Sequence, residues 1–273
     1  MYVRAKKSLG QNFLRDSAFV TRIVAALDLN GADAVFEIGA GQGALTDKLV
    51  AEAGRVIAIE FDRDMVAILD ERFHSASNFE LIEADALSVD FAKLLGDVPT
   101  GEKAKLVANL PYNISTPILQ RLIDQRELFS VIVLMFQREV VERITAAAGG
   151  KNRGYLSVLV ENAFETEYLF DVPPGAFHPV PKVWSGVVRL KPKAAALNDY
   201  PLFRRTVSSA FAQKRKTILN NLKQTVEKAV EVLSQAGIEA NRRAETLTLD
   251  EWWSLTRAIS KHKIAGAKNE VDE

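Results

Sequence analysis

One stretch of this sequence, an apolar strand that runs directly into a glycine-rich turn, constrains the fold more than any other. Residues 34–38 read Ala-Val-Phe-Glu-Ile, and residues 39–43 read Gly-Ala-Gly-Gln-Gly. The inward apolar positions Leu45 and Leu49 then predict a helix. Glycines at such a turn let a ligand approach the backbone closely at the start of the helix. A strand, a glycine turn and a helix in this order predict an open α/β sheet that binds a ligand at the turn.

The glycine turn does not by itself choose the ligand. Residues 39–44 satisfy the loose dinucleotide-binding pattern G-x-G-x-x-G/A. The next predicted strand, at 56–59, ends at Glu60, which lies 21 residues after Gly39. An acid in this position can bind both hydroxyls of a ribose. Nicotinamide cofactors and S-adenosylmethionine therefore fit these residues equally.

Polar residues also follow the later predicted strands. A third strand at 79–83 leads to Asp85, which is placed to meet an adenine amino group, and a fourth at 105–108 leads to Asn109. A fifth, continuously apolar strand spans 131–136. Because open α/β sheets bind ligands beyond the carboxyl ends of their strands, we expect these polar residues to share one site with Glu60.

The tetrapeptide Asn109-Leu110-Pro111-Tyr112 is the predicted catalytic tip. An exocyclic amine such as adenine N6 is a poor nucleophile, because its lone pair is delocalised into the ring. Acceptors aimed at its two N–H bonds counter this, and the Asn109 side-chain oxygen and the Leu110 carbonyl can supply them. Pro111 would stiffen the loop and Tyr112 would stack on the base. Taken alone, the tetrapeptide is equally well an ordinary turn after a strand.

A proline-stiffened segment at 172–183 lies between two predicted antiparallel strands. Such a segment holds its side chains in fixed places at low entropic cost. Phe177 in this segment is a candidate base-stacking wall opposite Tyr112, and stacking is worth roughly 1–3 kcal/mol per base. A core phenylalanine is the competing interpretation.

From Tyr200 onward the apolar pattern is helical. We therefore predict a catalytic domain at 1–193 and a small all-helical domain at 194–273. The formal net charge of the chain is zero, yet residues 189–223 hold nine Lys and Arg against one acid. This basic region is either a grip for RNA phosphates or solvated surface. Its candidate residues are Arg204, Arg205, Lys214, Arg215 and Lys216.

Two further signals lie in the helical domain. Thr248 and Glu251 are spaced as a capping box before Trp252 and Trp253, which we assign to the core. Residues 263–273 are expected to form a flexible tail.

The chain has no cysteine. This excludes a disulfide framework, a thiolate zinc site, an iron–sulfur cluster and a catalytic cysteine. The three histidines show no paired spacing, so we expect no metal site. No apolar run approaches the roughly 20 residues of a membrane span, and charged residues interrupt the N-terminal region where a signal peptide would lie. We expect a cytoplasmic protein without a membrane partner.

An ordered set of motifs closely resembles those of the ribosomal RNA adenine dimethyltransferase family, over nearly the whole chain from residue 6 to about 261. The combination is specific, although each motif alone is not. The motifs are Gln11-Asn12-Phe13-Leu14, the run from Glu37 to Thr46, Glu60, Asp85, Asn109-Leu110-Pro111-Tyr112, and the run from Phe177 to Val183. The family often carries proline where Ala40 stands, a change to which we attach no functional cost.

The resemblance implies an α/β fold of the class I (Rossmann-like) methyltransferases, with a seven-stranded, mostly parallel sheet and a helical C-terminal domain. It implies S-adenosylmethionine as the methyl donor and two adjacent adenosines near the 3′ end of small-subunit ribosomal RNA as acceptors, each dimethylated at N6. The natural partner would be a precursor of the small ribosomal subunit, and the protein would be a monomer off the ribosome.

The resemblance also implies roles for individual residues. Asn12 and Leu14 would lie along the cofactor, and Gly39 and Gly41 would abut it. Glu60 would hold the ribose and Asp85 the adenine. Asn109 would contact both the cofactor and the target amine.

Three other functions compete with this one. A nicotinamide oxidoreductase fits the glycine turn but leaves residues 109–112 and the basic helical domain without a role. A non-catalytic ribosome-assembly or transcription factor could use the same scaffold. Within the family, the macrolide-resistance type methylates large-subunit RNA with the same motifs.

Overall fold

The computed structural model describes residues 6, 10–96, 103–110, 114–194 and 199–269, with side chains as far as residue 262. The chain divides into two compact units. The first contains residues 1–141 and 164–192, and the second contains 142–163 and 193–273. The division near residue 193 coincides with the predicted domain boundary. Residues 142–163 differ from the prediction, because they pack with the C-terminal helices rather than with the sheet.

The first unit is built on a seven-stranded sheet with the order β4-β3-β2-β5-β6-β9-β7. Strands β2 to β6 run parallel, and β9 is antiparallel to both β6 and β7. The sheet strands are β2 (Ala34–Ile38), β3 (Arg55–Glu60), β4 (Phe79–Glu83), β5 (Ala104–Asn109), β6 (Phe129–Gln137), β7 (Phe164–Val172) and β9 (Ser185–Pro192). The predicted seven-stranded, mostly parallel sheet is confirmed.

Helices cover both faces of this sheet, as parallel strands require. The apolar side chains of β2 alternate accordingly: Val35 belongs to a core cluster with Val24 of the first helix, whereas Phe36 packs edge-on against Phe91 and Phe129. The helices are α1 (Ser17–Ala25), α2 (Thr46–Glu52), α3 (Arg63–Phe73), α4 (Phe91–Leu95), α5 (Ser115–Asp124) and α6 (Arg138–Ile144), which ends in the second unit.

The strand order reverses at β2, and this reversal positions the ligand site. From β2 the chain moves outward through β3 and β4, then returns to the other side of β2 with β5. In open α/β sheets the crevice beyond such a switch point binds ligands. The register places Ile38 beside both Ile59 and Ala108, so Gly39, Glu60 and Asn109 follow at the same edge.

A separate two-stranded ribbon joins the N-terminal segment to the proline-rich segment. Strand β1 (Phe13–Leu14) pairs antiparallel with β8 (Phe177–His178), with Leu14 opposite Phe177. The peptide bond between His178 and Pro179 is cis. The ribbon brings two motifs together that lie more than 160 residues apart in the sequence.

The second unit is helical. The buried ring of Trp252 stacks on Phe211 at 5.8 Å, and Phe203 is also fully buried. Trp253 is half-buried, and its indole N–H donates to the Asn162 side chain at 2.8 Å. The helices are α7 (Tyr155–Ala163), α8 (Tyr200–Ala210), α9 (Ile218–Leu222), α10 (Ala229–Gln235) and α11 (Leu249–Asn269).

Helix α11 starts where the sequence predicts and extends further along the chain than expected. At its start the capping box is confirmed: the Thr248 N–H donates to the Glu251 carboxylate at 2.8 Å, and the Glu251 N–H donates to the Thr248 hydroxyl at 3.3 Å. At its end the helix continues to Asn269, so residues 263–269 of the predicted tail continue α11, and residues 270–273 lie outside the described residues.

Within the described residues, no helix is long and apolar enough to cross a membrane.

Candidate active site

A cavity of about 290 Å³ opens at the switch point of the sheet. It lies wholly in the first unit. Eight of the predicted site residues line it: Asn12, Gly39, Gly41, Glu60, Asp85, Asn109, Leu110 and Phe177. The structure therefore brings together residues that come from six separate motifs.

The glycine turn forms the floor of the cavity between β2 and α2. Gly39 and Gly41 have φ angles of +73° and +56°, a region that favours glycine. A Cβ atom on Gly41 would lie 3.1 Å from the Phe13 ring, and one on Gly39 would lie 3.6 Å from the Asn109 carbonyl. Glycine at these two positions therefore lets Phe13 and the Asn109 carbonyl lie close to the turn.

Glu60 ends β3 and holds the glycine turn in place. One carboxylate oxygen accepts the Gly41 N–H at 2.8 Å, and the other accepts the N–H groups of Phe61 and Asp62 at 2.9 Å each. The residue is only 7 % exposed. A carboxylate has about four acceptor positions, so three are used by backbone and one remains for a ligand hydroxyl.

Asp62 ties the N-terminal segment to this side of the cavity. Its buried carboxylate accepts the Gln11 amide at 2.7 Å, forms an ion pair with Lys6 and caps α3 through the Asp64 N–H. Burial raises the pKa of Asp62, but the hydrogen bonds from Lys6 and Gln11 outweigh it and hold the pKa below its ordinary value. The ionised carboxylate keeps residues 10–13 against the cavity, which they line.

Glu37 is a second buried acid, in β2 just before the glycine turn. Burial raises its pKa to about 7, and the nearby Glu60 carboxylate adds to this rise. The Thr46 hydroxyl donates to Glu37 at 2.6 Å and opposes the rise. The side chain joins the strand before the turn to the helix after it.

Asn109 is the last residue of β5 and is half-buried. Its side-chain N–H group faces the Asn12 carbonyl at 3.5 Å. This contact turns the donor end of the amide toward the N-terminal segment and leaves Oδ1 as an acceptor for a ligand. Leu110 also lines the cavity, whereas Pro111 and Tyr112 lie outside the described residues.

Phe177 belongs to the core and also borders the cavity, so its stacking role stays a prediction. It is 4 % exposed and belongs to the main core cluster, and it also lines the cavity. Its partner in the ribbon, Leu14, is buried in the same cluster but does not line the cavity. Leu14 therefore supports the wall that Phe177 forms.

Several lining residues were missed by sequence reasoning. Phe61, a 61 % exposed ring, was not predicted, and it lines the cavity together with the predicted Asp85, which is exposed beyond the end of β4. Met135 and Ser185 line the side formed by β6 and β9. Phe61 follows Glu60 directly, so its place after a strand was a usable signal. Ser185 gave no such signal, because its position depends on antiparallel pairing with Gln137 and Val172.

The second unit carries the predicted basic residues on and after α8. Lys214, Arg215 and Lys216 are exposed in the turn between α8 and α9, whereas the Arg204 side chain donates to the Tyr155 hydroxyl at 3.1 Å. The turn is held from beneath by buried Asn221. Its amide N–H groups donate to the Ala210 carbonyl at 2.6 Å and to the Gln213 carbonyl at 3.2 Å, and its amide oxygen accepts the Gln213 N–H at 3.2 Å.

Comparison with known proteins agrees with this geometry. The family model described as ribosomal RNA adenine dimethylase matches residues 2–261. The chain is 47 % identical over 267 residues to the ribosomal RNA small subunit methyltransferase A of Syntrophotalea carbinolica, covering 96 % of this chain and 99 % of that protein. It is 43 % identical over 265 residues to the protein of the same name from Geobacter metallireducens, covering 94 % and 96 %.

Solved structures show the same relationship. The crystal structure of a dimethyladenosine transferase from Plasmodium falciparum matches with a TM-score of 0.79 at 28 % identity, covering 91 % of this chain and 98 % of that one. The 23S rRNA methyltransferase ErmE matches with a TM-score of 0.70 at 25 % identity, covering 91 % and 100 %. The class I methyltransferase fold predicted from the motifs is confirmed, and the chain belongs to the ribosomal RNA adenine dimethylase family.

Proposed function

We propose that this protein transfers methyl groups from S-adenosylmethionine to N6 of two adjacent adenosines near the 3′ end of small-subunit ribosomal RNA, giving N6,N6-dimethyladenosine. The observation that carries the proposal is the convergence of Glu60, Asp85 and Asn109 on one cavity at the switch point of the sheet. The relatives named for the small subunit support the choice of acceptor.

The cavity fits the cofactor by the chemistry of its walls. Gly39 and Gly41 line the part of the cavity that we assign to the methionine part, and the free acceptor position of Glu60 suits a ribose hydroxyl. Asp85 offers an acceptor for an adenine amine, and the exposed Phe61 ring offers it an apolar face. When bound, S-adenosylmethionine supplies a methyl group activated by a positively charged sulfur.

Asn109 and Leu110 prepare the target amine. The Oδ1 atom of Asn109 accepts one N–H of adenine N6 and the Leu110 carbonyl accepts the other, so the nitrogen lone pair is withdrawn from the ring. The contact of Asn109 with Asn12 fixes the amide orientation that this role needs. Catalysis then rests mainly on the alignment of amine and methyl group.

The target base has to leave its stack to reach the cavity. Phe177 is a rigid wall for it, because the ring is held by the core on one side and open to the cavity on the other. The motif assigns the opposite wall to Tyr112 and the stiffness of the loop to Pro111. Stacking on such walls is worth roughly 1–3 kcal/mol per base.

The RNA around the target is the second part of the proposal. The exposed turn at 214–216 places three cations on a backbone that Asn221 holds in shape, which suits RNA phosphates. We assign the protein to the cytoplasm, as a monomer that binds precursors of the small subunit. Light scattering of the purified protein tests the monomer.

The decisive experiment supplies labelled S-adenosylmethionine with undermethylated small subunits and, separately, with large-subunit RNA. The label is mapped by nuclease digestion and mass spectrometry. Dimethyladenosine at neighbouring positions of the small-subunit RNA is the expected result. Label in large-subunit RNA would instead favour 23S rRNA methylation, the activity named for ErmE, whose structure this fold also resembles. Tight binding without label would favour an assembly factor.

Asn109→Ala tests the catalytic role. We expect loss of methyl transfer with RNA binding largely kept, because the acceptor for the amine is removed while the basic residues proposed to bind RNA phosphates are unchanged. The matched control is Asn152→Ala, an exposed asparagine of the second unit, which should leave methylation unchanged. Equal loss of transfer and of RNA binding in the Asn109 variant would contradict the assigned role.

A further inference from the structure

The loop between β8 and β9, residues 179–184, concentrates exposed apolar side chains. Val180 is 65 % exposed, Trp184 48 % and Val183 42 %. They make up half of the six large apolar side chains that are exposed in the described part of the chain. Single exposed apolar residues are common, but a cluster on one short loop indicates a contact surface.

This loop is joined to the cavity at both of its ends. It follows Phe177 and His178 of β8 and leads into Ser185, and both Phe177 and Ser185 line the cavity. The Cα atom of Trp184 lies about 3.8 Å from that of Ser185, the fixed spacing of consecutive residues. Position 184 therefore adjoins, in the chain, a residue that lines the cavity proposed for the target adenosine.

The backbone at Trp184 is held in place. Its carbonyl accepts the N–H of Arg138 at 3.0 Å, and the following residue pairs with Gln137 of β6 and Val172 of β7. The indole thus projects from a fixed point rather than from the middle of a loose loop. Rigid aromatic side chains of this kind bind partners at low cost in conformational entropy.

Unpaired RNA is the partner that this surface fits. Single-stranded nucleotides are recognised by bases that stack on aromatic side chains, with cations nearby for the phosphates. Lys182 is exposed two residues before Trp184 and supplies such a cation. Because Phe177 and Ser185 line the cavity at the two ends of the loop, a nucleotide adjacent to a base in the cavity is within reach of the loop.

We propose that Trp184 stacks on the base of the nucleotide adjacent to the adenosine in the cavity, with Lys182 near its phosphate. The inference rests on the proposed function, and in that RNA the adjacent nucleotide is the second acceptor adenosine. Trp184 then holds one adenosine while the other occupies the cavity. Its role is to position the RNA and to favour acceptors that come in pairs.

The test measures binding of a single-stranded RNA that carries two adjacent adenosines, and of the same RNA with either adenosine replaced by an abasic site. Full-length wild-type protein, Trp184→Ala and Trp184→Phe are compared. Stacking of roughly 1–3 kcal/mol corresponds to about 5- to 150-fold in affinity. We expect Trp184→Ala to weaken binding by this factor and Trp184→Phe to recover most of it.

The abasic RNA makes the assignment specific. An abasic neighbour should weaken binding to the wild type but have little further effect on Trp184→Ala, because the stacking pair is already lost. Quenching of tryptophan fluorescence by the RNA should fall in Trp184→Phe and persist in the control Trp253→Phe. Affinity within twofold of wild type for Trp184→Ala, or quenching that survives in Trp184→Phe, would overturn the inference.

Methylation of undermethylated small subunits by the wild type is measured in parallel. Methylation together with an unaltered Trp184→Ala affinity would overturn this inference and leave the proposed function standing. If the wild type methylated no RNA, the proposed function would fail, and the inference would fail with it.

Discussion

Replacement of Glu60 by glutamine removes one charge and keeps the shape of the side chain. The carboxylate of Glu60 accepts N–H groups from Gly41, Phe61 and Asp62, at 2.8 to 2.9 Å. A carboxamide has only one acceptor oxygen. If that oxygen still accepts the N–H groups of Phe61 and Asp62, the amide NH₂ group faces the Gly41 N–H. Two donors then face each other where the wild-type protein has a hydrogen bond.

The size of the effect follows from that lost bond. A hydrogen bond to a charged group contributes about 1.5–3 kcal/mol. In the free variant the glycine turn relaxes away from the amide, and it has to return when the cofactor binds. We therefore expect the cofactor affinity of the variant to fall by about 10- to 150-fold, since each 1.4 kcal/mol corresponds to a tenfold change.

Calorimetric titration with S-adenosylhomocysteine, the demethylated product, measures this directly. The matched control is Glu83→Gln, because Glu83 lies opposite Glu60 in the register of β3 and β4 but makes an exposed ion pair with Arg63 and does not line the cavity. The control should bind within twofold of wild type. A Glu60→Gln affinity within threefold of wild type would refute the claim that this carboxylate holds the turn for the cofactor.

Three further predictions concern pH, backbone geometry and charge. Burial raises the pKa of Glu37 from an ordinary 4.5 to about 7, so the folded state binds this proton more tightly than the unfolded state does. The stability from this group therefore falls as pH rises from about 4.5 to 7, by about 3.5 kcal/mol at 1.4 kcal/mol per pH unit. The free energy of unfolding in urea should therefore rise for Glu37→Gln relative to the wild type between pH 5 and pH 8. A difference between the two proteins that does not change with pH would contradict the raised pKa of the buried carboxyl group. Gly41→Ala should weaken cofactor binding, because a residue with a Cβ at a φ of +56° costs roughly 1–2 kcal/mol and the new Cβ would lie 3.1 Å from Phe13. Gly96→Ala, with a φ of +66° and no atom within 4 Å of the new Cβ, does not line the cavity and should bind normally. Replacing the exposed cations Lys214, Arg215 and Lys216 by glutamine should weaken RNA binding. The slope of log affinity against log salt concentration should fall by about 2, at roughly 0.7 per phosphate contact. An unchanged slope would show that the turn is ordinary solvated surface.

Local sequence signals were sufficient for the main features. The strand before the glycine turn, the order of the later strands and the capping box at Thr248 all depend on residues close in the chain, and the structure confirms each of them. The family assignment from the combined motifs is confirmed as well. The roles of the individual site residues stay predictions, although eight of them meet in one cavity.

Contacts between distant parts of the chain were decided only by the tertiary structure. Nothing near Asp62 in the sequence indicates that Lys6 and Gln11 bind it, and nothing near residues 142–163 indicates that they pack with the C-terminal helices. The double role of Phe177, in the core and in the cavity wall, likewise depends on the ribbon with β1. Periodicity and capping are set by neighbours within one or two turns of the chain, and the sequence by itself therefore determined the elements and the family. Pairing register and burial depend on which distant surfaces exclude water together, and only the folded chain decides them.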